Sequence, residues 1–93
     1  MPITRINHFQ AQDGKADELH AFLTGVIAVV KNCAGCLGCR LLREKDQPGH
    51  LAIIEEWESV EQHKAAASAI PPAEIVKVMP LLKQPPTGAY FLP

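Results

Sequence analysis

The chain lacks any run of basic residues and has few aromatic side chains. Its 93 residues include three Phe, one Tyr and one Trp, and the formal net charge is −1. Proteins that bind nucleic acid cluster lysine and arginine against the phosphates and often stack bases on aromatic rings. We therefore expect no nucleic-acid partner.

A long hydrophobic run is also missing. The first residues, MPITRINHFQ, do not show a charged segment followed by an apolar core, as an export signal would. The most apolar stretch, residues 21–30, is too short and interrupted to span a bilayer. Three cysteines without an export signal are typical of a reducing compartment. We expect a cytoplasmic protein with free thiols and no membrane association.

Motifs for common cofactors are absent too. The sequence contains no glycine-rich phosphate loop, no His-x-x-x-His helix and no calcium-binding loop. Apolar residues make up 47% and charged residues 20%, which is the composition of a folded globular domain. The length predicts one domain over residues 1–93. No cofactor and no metal are expected from these patterns.

What is present is a clear alternation of strand and helix signals. Residues 15–32 carry an apolar stripe at helical spacing, and Ser59 begins a Ser-x-x-Gln capping box. Alternating apolar residues and Pro or Gly punctuation set the other segments. The predicted elements are strand 3–11, helix 15–32, strand 36–44, strand 50–58, helix 59–68, short helix 73–79 and strand 87–92.

This order predicts an α+β fold of the ferredoxin-like βαββαβ type with an antiparallel sheet. Helices cover only one face of such a sheet. The third strand nevertheless carries apolar residues on both faces, with Ile53 and Trp57 on one side and Ala52 and Ile54 on the other. The second face needs a cover that this chain is too short to supply. We therefore predict a homodimer whose sheets face each other and enclose an apolar cavity.

The three cysteines are spaced as Cys33, Cys36 and Cys39, like part of a bacterial ferredoxin ligand run. The fourth cysteine and its following proline are missing. A structural zinc site requires four ligands, and three cysteines supply only three. If a strand starts at Cys36, side-chain alternation turns Cys36 and Cys39 to opposite faces. The prediction is that the cysteines pack in the core or at a helix–strand corner, without a metal.

His63 is the strongest candidate for chemistry. On the capped helix it shares an apolar stripe with Val60, Ala67 and Ile70. Burial disfavours the charged imidazole, and a neutral imidazole can act as a general base. The alternative is a core histidine bonded to a backbone carbonyl.

Five further residues could contact a ligand. Trp57 could line a cavity or anchor the core, and Glu55 lies on the same strand face. Asn7 is an unfavourable strand residue that could bond a substrate oxygen or simply be exposed. Arg40 could pair with a strand glutamate or hold an anion, and Tyr90 could add a phenol.

Four sequence features carry a family resemblance. Gly35-Cys36 enters a strand, Glu55-x-Trp57 ends the next strand, and His63 follows in the early turns of a helix; QDGKADEL at 12–19 enters the first helix. Across essentially the whole chain the sequence resembles the antibiotic biosynthesis monooxygenase family of dimeric α+β barrels.

The resemblance implies oxidation of a phenolic, hydroquinone or polyketide-like aromatic by O₂, without flavin, haem or metal. The protein supplies a dry chamber, a base and oriented polar groups. On this resemblance His63 is the base, and Asn7, Trp57, Arg40 and Tyr90 position substrate or stabilise an oxyanion.

Three alternatives stay open at this point. Asn7 and Trp57 are also similar to the pair found in haem-degrading relatives, but SAIPPAEIVKVMP lacks the haem-ligating histidine expected there. The cavity could instead bind a small hydrophobic molecule without turnover, because a binder and an enzyme need the same chamber. The chain could also be a stress-related structural dimer with a filled interior.

Overall fold

The computed structural model describes residues 2–68 and 70–93, and its elements confirm the predicted order. Each predicted boundary lies within two residues of the observed one. A short 3₁₀ turn after the third helix was not predicted. The elements are β1 (Ile3–Gln10), α1 (Ala16–Val30), β2 (Cys36–Arg43), β3 (His50–Trp57), α2 (Val60–Ala67), α3 (Pro72–Val78), the 3₁₀ turn (Met79–Leu81) and β4 (Thr87–Phe91).

The four strands form one antiparallel sheet in the order β2-β3-β1-β4, which is the ferredoxin-like arrangement. β1 is a central strand, paired with β3 on one side and β4 on the other. Arg5 lies directly opposite both Glu55 and Tyr90 in these pairings. Residues opposite one another share a face of the sheet, so these three side chains start from adjacent positions on one face.

Local signals explain where the helices begin. Ser59 precedes α2 with extended backbone, and its Oγ accepts a hydrogen bond of 3.2 Å from the backbone N–H of Gln62, as the capping box predicts. α3 starts at Pro72, where a missing N–H costs nothing. The apolar stripe of α1 buries Leu19 and Leu23 against the sheet.

The core lies entirely on the helix-covered face of the sheet. Its fully buried side chains are Trp57, Leu19, Leu23 and Leu51. On the opposite face Ile6 pairs with Ile54, and no described helix covers them. A homodimer over this face remains a prediction. Within residues 2–68 and 70–93, no helix has the length and hydrophobicity of a membrane span.

The cysteines correct one prediction. The register shifts between Cys36 and Gly38, so Cys36 pairs with Trp57 while Cys39 pairs with Glu55. Since Trp57 and Glu55 share a face, the bulge turns both cysteines to the helix-covered side rather than to opposite faces. All three cysteines pack around the cluster that contains Trp57.

The chemistry of these thiols is that of packed core groups. Burial raises the pKa of Cys36 above its ordinary value and that of Cys39 to about 12, so both stay protonated at neutral pH. Metal binding requires the thiolate form. Among the described residues there is also no group of three or more His, Cys, Asp or Glu side chains placed to hold a metal.

Candidate functional site

A cavity of about 400 Å³ lies between the helix-covered face of the sheet and the three helices. Its walls are mainly apolar, with Phe22 and Val26 from α1 and Val78 from α3. From α2 it receives only the small side chains Ala66 and Ala67 beside His63, and these leave the space between helix and sheet unfilled. The sequence predicted a cavity between the sheets of two copies. This cavity lies on the opposite face, within a single chain.

The polar end of the cavity is built around Glu55. This carboxylate is only 5% exposed, and each of its oxygens has a donor. Trp57 Nε1 donates to Oε1 at 2.8 Å, and Asn7 Nδ2 donates to Oε2 at 3.1 Å. β1 and β3 therefore place the amide, the carboxylate and the indole as one connected group on the cavity floor.

Burial disfavours the charged form of Glu55, while its three polar neighbours favour that form. Burial raises the pKa of its carboxyl, and the hydrogen bond from Trp57, the charge of Arg5 and the hydrogen bond from Asn7 partly offset that rise. A carboxyl whose pKa is raised in this way can exchange a proton nearer to neutral pH than an exposed glutamate can.

His63 projects from α2 toward this group. Its Nδ1 lies 2.6 Å from the hydroxyl of Tyr90, and its Nε2 lies 3.8 Å from Oε1 of Glu55. The ring meets Trp57 edge-on at 5.6 Å between centroids. Burial lowers the pKa of His63, and the charge of Arg5 lowers it further, so the imidazole is neutral near pH 7. Its partner is a phenol, not the backbone carbonyl of the alternative interpretation.

Arg5 completes the site, and sequence reasoning missed it. Its Nε donates to Asn7 Oδ1 at 3.0 Å, and its guanidinium carbon lies 4.7 Å from the centre of the Tyr90 ring. The signal for it was present, because Arg5 and Asn7 are two residues apart and so share a face of β1. What the sequence did not reveal was that this face is the floor of a cavity.

Gly88 leaves the room that Arg5 and Asn7 occupy. It pairs with Asn7 across β1 and β4. A Cβ atom built on Gly88 would overlap Asn7 Oδ1 and lie 2.5 Å from Nη2 of Arg5. A glycine at this point lets the two polar side chains cross the neighbouring strand.

The structure places four of the predicted residues on the cavity wall, a fifth directly behind that wall and the sixth on the other face of the sheet. Asn7, Glu55, Trp57 and His63 all line the cavity. Tyr90 lies behind His63 and is not among the described lining residues, although it contacts both His63 and Arg5. Arg40 pairs with Ile54 on the other face of the sheet and borders a separate depression there with Glu56. It does not reach the cavity.

This arrangement suits proton transfer in an apolar space. It offers a neutral imidazole, a buried carboxylate and a guanidinium at one end of a chamber whose other walls are mainly hydrocarbon. Charges interact strongly where water is largely excluded. An acidic proton of a bound molecule could pass to His63, and the resulting cation would be stabilised by Glu55.

A family model described as antibiotic biosynthesis monooxygenase matches residues 2–69. The chain belongs to the antibiotic biosynthesis monooxygenase family. No curated protein matches the sequence.

Solved structures of the same fold include three informative neighbours. Rv0793 of Mycobacterium tuberculosis superposes with a TM-score of 0.86 at 22% identity, covering 100% of this chain and 95% of the other. SnoaB of Streptomyces nogalater, a cofactor-independent oxygenase, gives 0.83 at 19%, covering 99% and 92%. PA3566 of Pseudomonas aeruginosa gives 0.80 at 22%, covering 99% and 95%. At these identities the likeness establishes the fold.

Haem, which the resemblance also raised, does not fit the side chains of this cavity. A haem iron needs a free axial ligand, usually an imidazole nitrogen. His63 has Nδ1 against Tyr90, and its Nε2 lies 3.8 Å from Oε1 of Glu55, a gap that leaves a substrate hydroxyl room to approach but does not admit the plane of a haem. The facing helix α3, Pro72–Val78, contains no histidine.

Proposed function

We propose that this protein is a cofactor-independent monooxygenase that oxidises a phenolic, hydroquinone or polyketide-like aromatic with O₂ in the cavity. The observation that supports it is a neutral imidazole, His63, held between Tyr90 and Glu55 at the polar end of an apolar chamber of about 400 Å³. Neighbouring SnoaB, described as a cofactor-independent oxygenase, has the same fold.

The first step is proton removal. When the Nδ1–H of His63 donates to Tyr90, Nε2 carries the lone pair and faces the polar end of the cavity. It takes the proton of a substrate hydroxyl, and Glu55 then faces the new imidazolium N–H. A positioned base of this kind contributes about 10²–10⁴-fold to a rate.

The oxidation then needs no further reductant. The substrate anion transfers one electron to O₂, and the radical pair combines to form a C–O bond and a peroxide. Loss of water from that peroxide leaves a ring carbonyl, so one oxygen atom enters the product and the other leaves as water. The imidazolium of His63 returns its proton to the peroxide. Over the whole reaction the substrate loses two hydrogens, one from its hydroxyl and one from the ring carbon that gains the oxygen, and O₂ accepts four electrons. The apolar walls limit the water that would otherwise compete for the anion.

The test is oxygen uptake with a panel of hydroquinones, naphthols and anthrones in the presence of a chelator. We expect uptake by the wild type and a loss of about 10²-fold or more in His63→Ala. His20→Ala, on the exposed side of α1, is the matched control and should keep its rate. No uptake with the whole panel, or an unchanged rate in His63→Ala, would contradict the proposal. Binding of an aromatic without oxygen uptake would favour the non-catalytic binder.

We also propose that two copies associate through the uncovered face of the sheet. Ile6 and Ile54 lie at its centre, and Leu42 and Phe91 are 42% and 48% exposed toward its edges. Light scattering at micromolar concentration should give twice the chain mass, and Ile54→Lys should give the mass of one chain. Wild-type protein that stays monomeric would overturn this proposal.

A further inference from the structure

Arg5 carries a charge into an apolar cavity, and no carboxylate of the described residues lies within ion-pair distance of it. It lines the cavity and is partly buried, yet none of the ion pairs among the described residues includes it. Glu55 lies opposite it in the sheet, but the two oxygens of Glu55 accept from Trp57 and Asn7 instead. Within residues 2–68 and 70–93, the guanidinium makes one hydrogen bond, from Nε to Asn7.

The guanidinium is nevertheless fixed in place. Asn7 holds Nε, the ring of Tyr90 stacks against the guanidinium carbon at 4.7 Å, and Gly88 leaves the space beneath. A charged side chain that is already oriented loses little entropy when a ligand binds. With Nε in use, the two terminal nitrogens form the free edge of the fork, which matches the spacing of two oxygens of an anion.

The remaining charges of the cavity do not compete for this edge. Glu74 lines the cavity from α3, but it pairs with Lys77 at 3.0 Å. His63 is neutral near pH 7. A partly buried cation is costly unless an anion accompanies it, and the described protein groups offer none in contact. A ligand that brings an oxyanion relieves this cost, whereas a neutral ligand of the same shape leaves it in place.

We propose that the cavity binds an aromatic oxyanion and that Arg5 holds its charged oxygen. The inference rests on the proposed function in that both use one cavity, and it narrows the substrate class to aromatics with an acidic oxygen. Two sources of that oxygen share this chemistry, a ring carboxylate and an ionised hydroxyl. Arg5 is here a binding group, separate from the proton transfer assigned to His63.

The test is equilibrium binding measured by titration calorimetry under anaerobic conditions, so that turnover plays no part. The probes are 2-naphthoate, 2-naphthol and neutral 2-naphthamide, which share one ring system. Charge-assisted hydrogen bonds predict that 2-naphthoate binds the wild type about tenfold or more tightly than 2-naphthamide does. Arg5→Gln should lose that advantage and leave 2-naphthamide unchanged.

Control variants distinguish the loss of the Arg5 charge from a general disturbance of the fold. Arg43→Gln makes the same substitution on β2, where Arg43 pairs with the exposed Asp17 outside the cavity, and it should bind all three probes like the wild type. Arg5→Lys keeps the charge without the fork and should lie between the wild type and Arg5→Gln. A melting curve for each variant verifies that it is folded.

The three probes also distinguish the two possible sources of the oxyanion. If an ionised hydroxyl is the natural group, the absorbance of bound 2-naphthol will show a lowered pKa in the wild type but not in Arg5→Gln. The inference is overturned if 2-naphthoate fails to bind, if it binds no better than 2-naphthamide, or if Arg5→Gln binds it as tightly as the wild type. Anion binding without oxygen uptake would leave this inference standing and remove the oxygenase proposal.

Discussion

The hydroxyl of Tyr90 lies 2.6 Å from Nδ1 of His63, at a point where β4 and α2 come together beside the cavity. The other nitrogen of the same ring faces Glu55 on β3 at 3.8 Å. Which nitrogen carries the proton is therefore decided by two groups from two different strands. Tyr90 acts on the cavity through His63, without lining it.

Tyr90→Phe should weaken catalysis while leaving ligand binding nearly unchanged. The ring that stacks on Arg5 is kept, but the oxygen that accepts the Nδ1–H of His63 in the proposed mechanism is lost. This hydrogen bond is stronger when His63 is protonated than when it is neutral, so its loss lowers the pKa of His63 further. We expect kcat to fall about tenfold with an unchanged KM. The acid limb of the pH–rate profile should move to lower pH, and an unmoved limb would contradict the positioning role.

The pH dependence of the wild-type rate follows from His63. Burial lowers the pKa of its imidazole from 6.5, so the neutral, basic form persists below that pH. The rate should stay level as pH falls past 6.5 and then drop through the lower pKa of the folded state. Oxygen uptake measured from pH 4.5 to 8 checks this. An acid limb at or above 6.5 would show that His63 is not the group that titrates.

Stability against pH should reveal the buried Glu55. Its folded-state pKa is raised above 4.5, so the native state holds this proton more tightly than the unfolded state does. The resulting stabilisation is present below pH 4.5 and is lost as pH rises through the folded-state pKa. Glu55→Gln lacks this titration. We therefore expect the urea midpoint of the wild type, minus that of the variant, to decrease as pH rises from 4.5 to the folded-state pKa. A difference that does not change with pH would contradict this prediction.

Gly88→Ala should impair binding more than folding. The new methyl group would displace the side-chain ends of Arg5 and Asn7, and moving Asn7 also weakens its hydrogen bond to the buried Glu55. We expect much weaker binding of 2-naphthoate, together with a moderately lowered melting temperature in a variant that still folds. The matched control is Gly25→Ala on α1, where a Cβ meets nothing within 4 Å and should add about 0.5–1 kcal/mol of stability. Equal affinity in the two variants would refute the role of Gly88.

Sequence reasoning reached the element order because apolar periodicity and proline or glycine punctuation are local signals. Sequence reasoning also placed Glu55 and Trp57 on one face of β3 and His63 on the capped helix, whereas the pairing of β1 with β3 in the structure adds Asn7 to that face. It missed Arg5, because strand pairing across three strands decides that an arginine lies between Glu55 and Tyr90.

Two other features depend on geometry that a single sequence does not carry. The bulge between Cys36 and Gly38 shifts the register of β2 by one residue. Cys36 and Cys39 therefore lie on the same face of the sheet, whereas strict alternation predicted opposite faces. Arg40 was grouped with the site because nothing in the sequence shows which face of the sheet borders the cavity. The cavity lies on the helix-covered face because the small side chains of α2 leave a gap between that helix and the sheet.

The cavity is bounded by the sheet and helices of one chain. Each subunit of any assembly therefore carries every described lining residue, and the expected stoichiometry is one ligand per chain. A subunit freed from the assembly keeps those residues, so catalysis and self-association can be selected, or engineered, separately.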